Sequence, residues 1–192
     1  MKRNIYFLLA LFSTLILSGC GEDEGSESTA STQGWHFQGR DCLACHNVDL
    51  GEDKHLLYAG TFYRDANVSN QDDLNSVCGG KFVVNLLDSS FNVVYSSKDY
   101  EDSNSKGYNG KGNLFVLQRK LRLLSAGTYH AQITDANGTV MAVSGYDHFF
   151  TSQDYDINNP ADNLNRLSCN ACHVKGGAQD PLYAQANKNL CQ

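Results

Sequence analysis

The sequence is poor in the residues on which several protein classes depend. It has only two prolines and 17 glycines among 192 residues, which excludes collagen-like and proline-rich chains. Basic residues are also few, since 15 lysines and arginines stand against 21 acidic residues and give a net charge of -6. Nucleic-acid binding needs a basic surface that displaces counterions from phosphate. We therefore expect no nucleic-acid partner.

The apolar run at the N-terminus is too short to cross a membrane. It extends from Ile5 to Leu17, whereas a spanning helix needs about 20 apolar residues. Lys2 and Arg3 precede the run and small residues follow it, which is typical of a secretory signal, the alternative being an uncleaved anchor helix. We expect residues 1–19 to be a signal peptide. Its removal takes away two cations and no anions, so the net charge moves from -6 to -8.

The residues at the end of this segment, Leu17-Ser18-Gly19-Cys20, resemble the lipobox of bacterial lipoproteins. That resemblance implies that Cys20 is lipidated, and Gly21 resembles the residue found in lipoproteins sent to the outer membrane. Residues 20–34 lack large apolar side chains and should form a flexible, acidic tether. We expect an exported protein anchored by lipid to the outer membrane, at its periplasmic face or at the cell surface.

Cysteine and histidine, by contrast, occur in an informative pattern. The stretches Cys42-Leu43-Ala44-Cys45-His46 and Cys169-Asn170-Ala171-Cys172-His173 are both C-x-x-C-H, the attachment signature of c-type haem. Two thiols bond to one porphyrin, and the adjacent imidazole ligates its iron. A thioredoxin-like dithiol or a zinc site made from two C-x-x-C pairs would leave His46 and His173 unexplained. We predict two covalently attached haem c groups.

Two cysteines, Cys78 and Cys191, remain after Cys20 and the four motif cysteines are assigned. An even remainder in an oxidising compartment favours a disulfide between them. The alternative is a pair of unlinked cysteines.

Each haem iron also has a second axial position, and the sequence offers several ligands for it. The candidates outside the motifs are His36, His55, His130, His148 and Met141. His148 is the only such histidine between Met141 and the second motif, so we predict that it ligates the second iron. For the first iron we place His36 slightly above His55. His130 is expected to be a solvated histidine on a polar strand face, and Met141 a packing residue. Ligation by a neighbouring subunit stays open.

The middle of the chain is rich in β-branched and aromatic residues in short alternating runs. Strands are predicted at 56–63, 81–87, 91–95, 114–124, 128–134 and 139–143, the last two joined as a hairpin through Asp135-Ala136-Asn137-Gly138. We predict a mainly β fold, in which a small β-sandwich-like domain over 56–145 is flanked by haem-binding segments of loop and short helix. These segments are residues 35–55 and 146–192.

Paired C-x-x-C-H motifs, a lipobox and a β-rich middle together resemble the multihaem c-type cytochromes of bacteria that pass electrons to the cell exterior. The resemblance implies an electron carrier, not an enzyme, that relays electrons between redox proteins or to an extracellular acceptor, and that self-associates into chains of haems in some members. The alternatives are a haem enzyme such as a dihaem peroxidase, or a haem-based sensor with one open iron site.

Overall fold

The structure is a computed structural model that describes residues 38–99, 112–117, 125–150, 156–158 and 168–191. Strands make up 36% and helices 14%, so the fold is mainly β, as the sequence predicts. The predicted signal peptide, lipidation site Cys20, tether and His36 lie outside the described residues. None of the helices within those ranges is long and apolar enough to span a membrane.

The described secondary structure comprises seven strands, two short α-helices and three turns of 3-10 helix. The strands are β1 (Leu56–Thr61), β2 (Phe82–Leu87), β3 (Val93–Ser96), β4 (Asn113–Leu117), β5 (Gly127–Asp135), β6 (Val140–Val143) and β7 (His148–Phe150). The helices are α1 (Cys42–His46) and α2 (Cys169–Cys172), and the 3-10 turns are Glu52–Lys54, Ser97–Asp99 and Lys188–Leu190. Each helix therefore coincides with one C-x-x-C-H motif.

The strands form two antiparallel sheets. β1 pairs with β4 in the smaller sheet, and β3, β2, β5 and β6 lie in that order in the larger one. The predicted hairpin is confirmed, because β5 pairs with β6 and Ile133 lies opposite Ala142. Its turn is closed by the Asp135 carboxylate, which accepts hydrogen bonds from the backbone N–H groups of Thr139 and Asn137 at 2.7 and 2.9 Å.

The larger sheet continues beyond residue 145, where the sequence places the end of the β-rich region. The short strand β7 pairs with the beginning of β5, so that His148 lies opposite Tyr129. Three residues are too few for an alternating pattern to reveal a strand. The pairing fixes the backbone of His148 to the sheet.

The core lies between the two sheets. Tyr58 of β1 meets Tyr95 and Phe150 of the larger sheet edge-on, with ring centroids 6.3 and 6.5 Å apart. Leu43, inside the first motif, is fully buried in the same core. Burial of a leucine side chain is worth about 1.5–3 kcal/mol, so helix α1 is anchored by packing.

The C-terminal residues return to the sheet. Cys78 and Cys191 form a disulfide, in agreement with the pairing favoured by the sequence, and it links positions 113 residues apart. The backbone N–H groups of Gln185 and Ala186 both donate to the carbonyl of Met141, whose side chain is fully buried. Met141 is thus a packing residue, as expected.

Candidate haem-attachment site

Both motifs adopt one turn of helix, and this local geometry brings their sulfur atoms together. Residues three apart lie on the same face of a helix, so Cys42 and Cys45 share one face, and Cys169 and Cys172 share another. Helix α1 begins at Asp41, whose side chain accepts a hydrogen bond from the Leu43 N–H at 3.2 Å. Each motif therefore places its two cysteines on one side of a helical turn, as attachment to one porphyrin requires.

The two motif histidines are oriented in the same way. Nδ1 of His46 bonds to the carbonyl of Lys54 at 3.0 Å, and Nδ1 of His173 bonds to the carbonyl of Asp180 at 2.8 Å. A carbonyl only accepts, so Nδ1 is the donor in each ring, and in a neutral imidazole Nε2 is then the nitrogen that can ligate a metal. Fixing the tautomer through Nδ1 is the usual way in which proteins prepare a histidine for metal ligation.

Burial keeps His173 in the neutral form. It lowers the pKa of the imidazole below its usual value, and it outweighs the hydrogen bond and charge of Asp180, which act in the opposite direction. Only a neutral imidazole can ligate a metal. The environment of His173 therefore favours the ligating form.

His148, the predicted ligand of the second iron, lies opposite His173. Their ring centroids are 6.2 Å apart and the ring planes differ by 24°. The two residues reach this position from different parts of the fold, because His148 belongs to β7 and His173 follows helix α2. The structure thus brings together two histidines that are separated in sequence.

The tautomer of His148 follows from its hydrogen bond to Ser144. The Ser144 hydroxyl donates its single proton to the carbonyl of Tyr146, so its oxygen accepts from Nδ1 of His148 at 3.3 Å. Nδ1 of His148 is therefore the donor, as it is in His46 and His173. The carbonyls of Lys54 and Asp180 were not identified from the sequence, because backbone acceptors leave no residue signature. Ser144 was not identified either, because a single serine carries no sign of its partner.

The separation of the two rings fits a shared iron. Bonds between a metal and imidazole nitrogen are about 2.0–2.1 Å long, and with roughly 1.1 Å from nitrogen to ring centre the two centroids would lie about 6 Å apart. A spacing of 6.2 Å also occurs in ordinary aromatic pairs. What distinguishes His148 and His173 is that both rings form a hydrogen bond through Nδ1.

The cysteines differ between the motifs. Cys42, Cys169 and Cys172 are thiols, whereas the sulfur of Cys45 is in a disulfide. Attachment of haem at Cys45 needs that sulfur in its reduced form. Burial, with a smaller contribution from a neighbouring cysteine, raises the pKa of both Cys42 and Cys169 to about 12.

The structure describes only one of the two candidates for the second ligand of the first proposed haem. His55, one of the two candidates, bonds through Nε2 to the carbonyl of Leu50 at 3.1 Å. Its Nε2 therefore carries the proton, opposite to the pattern at His46, His148 and His173. The other candidate, His36, lies outside the described residues.

His130 corrects one detail of the sequence interpretation. It was expected to be solvated, but its side chain is only 14% exposed. The ring stacks on Phe91 with centroids 4.4 Å apart, and Nε2 lies 3.3 Å from the Asp147 carboxylate. A polar alternating face indicates solvent, and the contact with Phe91 joins distant parts of the chain, so no local pattern reveals it.

No three His, Cys, Asp or Glu side chains form a metal-binding group within the part of the chain that the structure describes. Haem iron requires fewer, because the porphyrin supplies four nitrogens and the protein two axial ligands. No protein-family model matches the chain, and no curated protein or solved structure matches it either. Function therefore has to be argued from the site itself.

Proposed function

We propose that this protein is a dihaem c-type cytochrome that carries electrons. The proposal rests on two C-x-x-C-H motifs, each folded as a helical turn with its histidine bonded through Nδ1 to a backbone carbonyl. Cys42, Cys45 and His46 would hold the first haem, and Cys169, Cys172 and His173 the second. In this role the chain is a carrier and not an enzyme.

The observation that carries the proposal is the pair of facing imidazoles, His148 and His173, 6.2 Å apart. Together, His148 and His173 would supply both protein ligands of the second iron. A six-coordinate site leaves no position for a small substrate, which favours electron transfer over catalysis. When bound, such a haem supplies one-electron exchange between ferric and ferrous iron.

The chain's own contribution is to orient these ligands. Ser144 and the carbonyl of Asp180 hold the two rings in their tautomers from outside the site. The pairing of β7 with β5 fixes His148, so reorganisation on electron transfer should be small. Bis-histidine ligation sets a lower potential than ligation by histidine and methionine.

The setting of the electron transfer follows from the sequence. A lipid on Cys20 would tether the protein to the outer membrane, and the acidic mature chain would steer basic redox proteins towards it. An extracellular acceptor, and self-association of copies into a chain of haems, belong to the same proposal.

The test is to produce the protein in a host that attaches c-type haem and to measure haem content and carbon monoxide binding of the reduced protein. We expect two haems per chain, and the variant His148→Ala should bind one more carbon monoxide per chain than the unaltered protein. His130→Ala is the matched control, since this histidine lies on the same sheet and should leave carbon monoxide binding unchanged.

Absence of covalent haem would overturn the proposed function. An unchanged spectrum of His148→Ala after addition of carbon monoxide would remove the assignment of His148. Binding of carbon monoxide at the second haem of the unaltered protein would favour the haem enzyme or sensor.

A further inference from the structure

The two C-x-x-C-H motifs, separated by more than 120 residues, lie against each other in the fold. The Ser168 hydroxyl donates to the carboxylate of Asp41, so the residues that precede the two helices are joined directly. Asn170, the first variable residue of the second motif, donates to the carbonyl of Arg40 at 2.7 Å. We call these two contacts the clasp.

The clasp is continuous with strand β1. Asn170 also accepts from the Thr61 N–H at 2.9 Å and donates to the Thr61 hydroxyl at 3.2 Å. The same hydroxyl accepts from the N–H of Gly39 at 2.9 Å and donates to Asn113. Thr61 thus connects the chain before the first motif to the inside of the second.

These polar groups are removed from water. Thr61 is fully buried, and Ser168 and Asn170 are 2% and 3% exposed. Buried polar groups that lose their partner bear the full cost of desolvation, so such a network holds its members in one arrangement. Surface hydrogen bonds in the same number would not have this effect.

Backbone packing at the clasp is equally close. Ser168 forms a parallel bridge with Ala59, and a Cβ on Gly60 would lie 2.5 Å from the Cβ of Cys169. Only glycine at position 60 lets the second motif approach β1 so closely. The thiols of Cys42 and Cys169 are near enough for charge on one to act on the other.

We propose that the clasp holds the two attachment motifs as one unit, so that the haems they carry are electronically coupled, with Asn170 as its principal positioning residue. This inference rests on the proposed function, since it needs both haems. Single electrons would come from an external one-electron donor and leave to an external acceptor, and no covalent bond would form or break.

Circular dichroism in the Soret band tests the coupling. Two haems held close and at a fixed angle give a paired positive and negative signal, which a single haem does not. We expect this couplet in the unaltered dihaem protein and its loss in Cys42→Ala/Cys45→Ala, which retains only the second motif. A dihaem protein without a couplet, or a couplet that persists with one haem, would overturn the inference.

The role of Asn170 is tested in the same spectra. Asn170→Ala should still bind two haems with unchanged ligation, but it should lose most of the couplet, and the separation of the two midpoint potentials should narrow. Ala171→Ser, at the next motif position, is the matched control. It should keep both the couplet and the separation of the two midpoint potentials. Ser168→Ala removes only the bond to Asp41, so it should weaken the couplet less.

The outcomes separate the two proposals. Fewer than two haems in the unaltered protein counts against the proposed function, whereas two haems with a couplet that is the same in Asn170→Ala and Ser168→Ala counts against the clasp. If Asn170→Ala fails to fold, Ser168→Ala together with the single-motif variant decides the matter.

Discussion

The two attachment motifs share one covalent pattern, but the fold anchors them by different physical means. The first variable residue of the first motif is Leu43, which is fully buried in the apolar core. The same position of the second motif is Asn170, which is equally buried but held by hydrogen bonds to Thr61 and Arg40. Packing fixes a helix to the core as a whole, whereas hydrogen bonds fix it to particular neighbours. The second motif is therefore the one whose position relative to the first is specified.

The motifs also differ in how their histidines meet a second ligand. His173 faces His148, which β7 holds on the sheet. For His46 the candidates are His55, whose Nε2 is bonded to Leu50, and His36, which precedes the described residues. The candidate ligand of the second motif is thus held by the sheet, whereas the described candidate for the first motif, His55, is bonded to Leu50.

The largest expected effect tests which histidine is the second ligand of the first proposed haem. We expect His36→Ala to add one carbon monoxide binding site per chain in the reduced dihaem protein, because a vacated axial position takes up a small ligand. His55→Ala is the matched control, since its Nε2 is committed to the Leu50 carbonyl, and it should bind no more than the unaltered protein. The reverse result would assign His55 instead, and no change in either variant would point to a ligand from a second subunit.

Removal of the Cys78–Cys191 disulfide should produce the next largest effect, a loss of unfolding free energy. Cys78→Ala/Cys191→Ala opens a link between residues 113 apart, and in the chain-entropy model this costs about 4–5 kcal/mol of unfolding free energy. Urea unfolding, followed by far-ultraviolet circular dichroism, measures the loss.

Because the disulfide ties down the tail that follows the second motif, the second site should be the more affected of the two. We expect ligation at His148 and His173 to weaken at lower urea concentrations than ligation at His46. Equal sensitivity of the two haems would contradict this part of the comparison.

Much of the β structure could be predicted from the sequence because it depends on local pattern. The run at 128–134 alternates, those at 81–87 and 139–143 are rich in β-branched residues, and the structure places β5, β2 and β6 over them. Strand β7 was missed because it gains its stability from pairing with β5 and not from its own three residues. Residues 118–124, the later part of another predicted strand, lie outside the described residues.

The candidate site likewise has a part that the sequence predicts and a part that it does not. The motif residues are contiguous, so spacing alone identifies them, and His148 could be proposed because few histidines were left. The contacts of Asn170 and Ser168 with Arg40 and Asp41 span 127 to 130 residues and leave no periodic signal in a single sequence. The sequence therefore predicts what the site contains, and the fold determines how its two halves meet.

The contrast between apolar and polar anchoring predicts two different losses of stability. Leu43→Ala should lower the free energy of unfolding by about 2–5 kcal/mol, because it removes buried carbon atoms and leaves a cavity. Asn170→Ala should cost about 1–3 kcal/mol, because it leaves the buried Thr61 N–H without its acceptor. Urea unfolding of both variants makes the comparison.

Soret circular dichroism of the same two variants distinguishes a change in the relative position of the motifs from a general loss of stability. Leu43→Ala should keep the Soret couplet wherever the protein remains folded, while Asn170→Ala should lose it. If the couplet weakens in both variants in proportion to the loss of unfolding free energy, packing at Leu43 and hydrogen bonding at Asn170 have the same effect. This result would contradict the difference proposed between the two motifs.

The smallest effect concerns the turn between β5 and β6, at the opposite end of β5 from β7. Burial acts to raise the pKa of Asp135, but hydrogen bonds from Thr139 and Asn137 outweigh it and leave the pKa below the usual value of 3.8. A folded-state pKa below the unfolded one means that the ionised carboxylate stabilises the fold above about pH 4, and that this contribution is lost as the pH falls through the folded-state value. Asp135→Asn, which cannot ionise, should therefore lose less unfolding free energy than the unaltered protein between pH 7 and pH 2, by about 1 kcal/mol or less. Urea unfolding at the two pH values measures the difference, and a larger acid sensitivity in Asp135→Asn would contradict it. Because the turn lies away from β7, the Soret couplet of this variant should be unchanged at pH 7, which makes it a reference for changes at the two motifs.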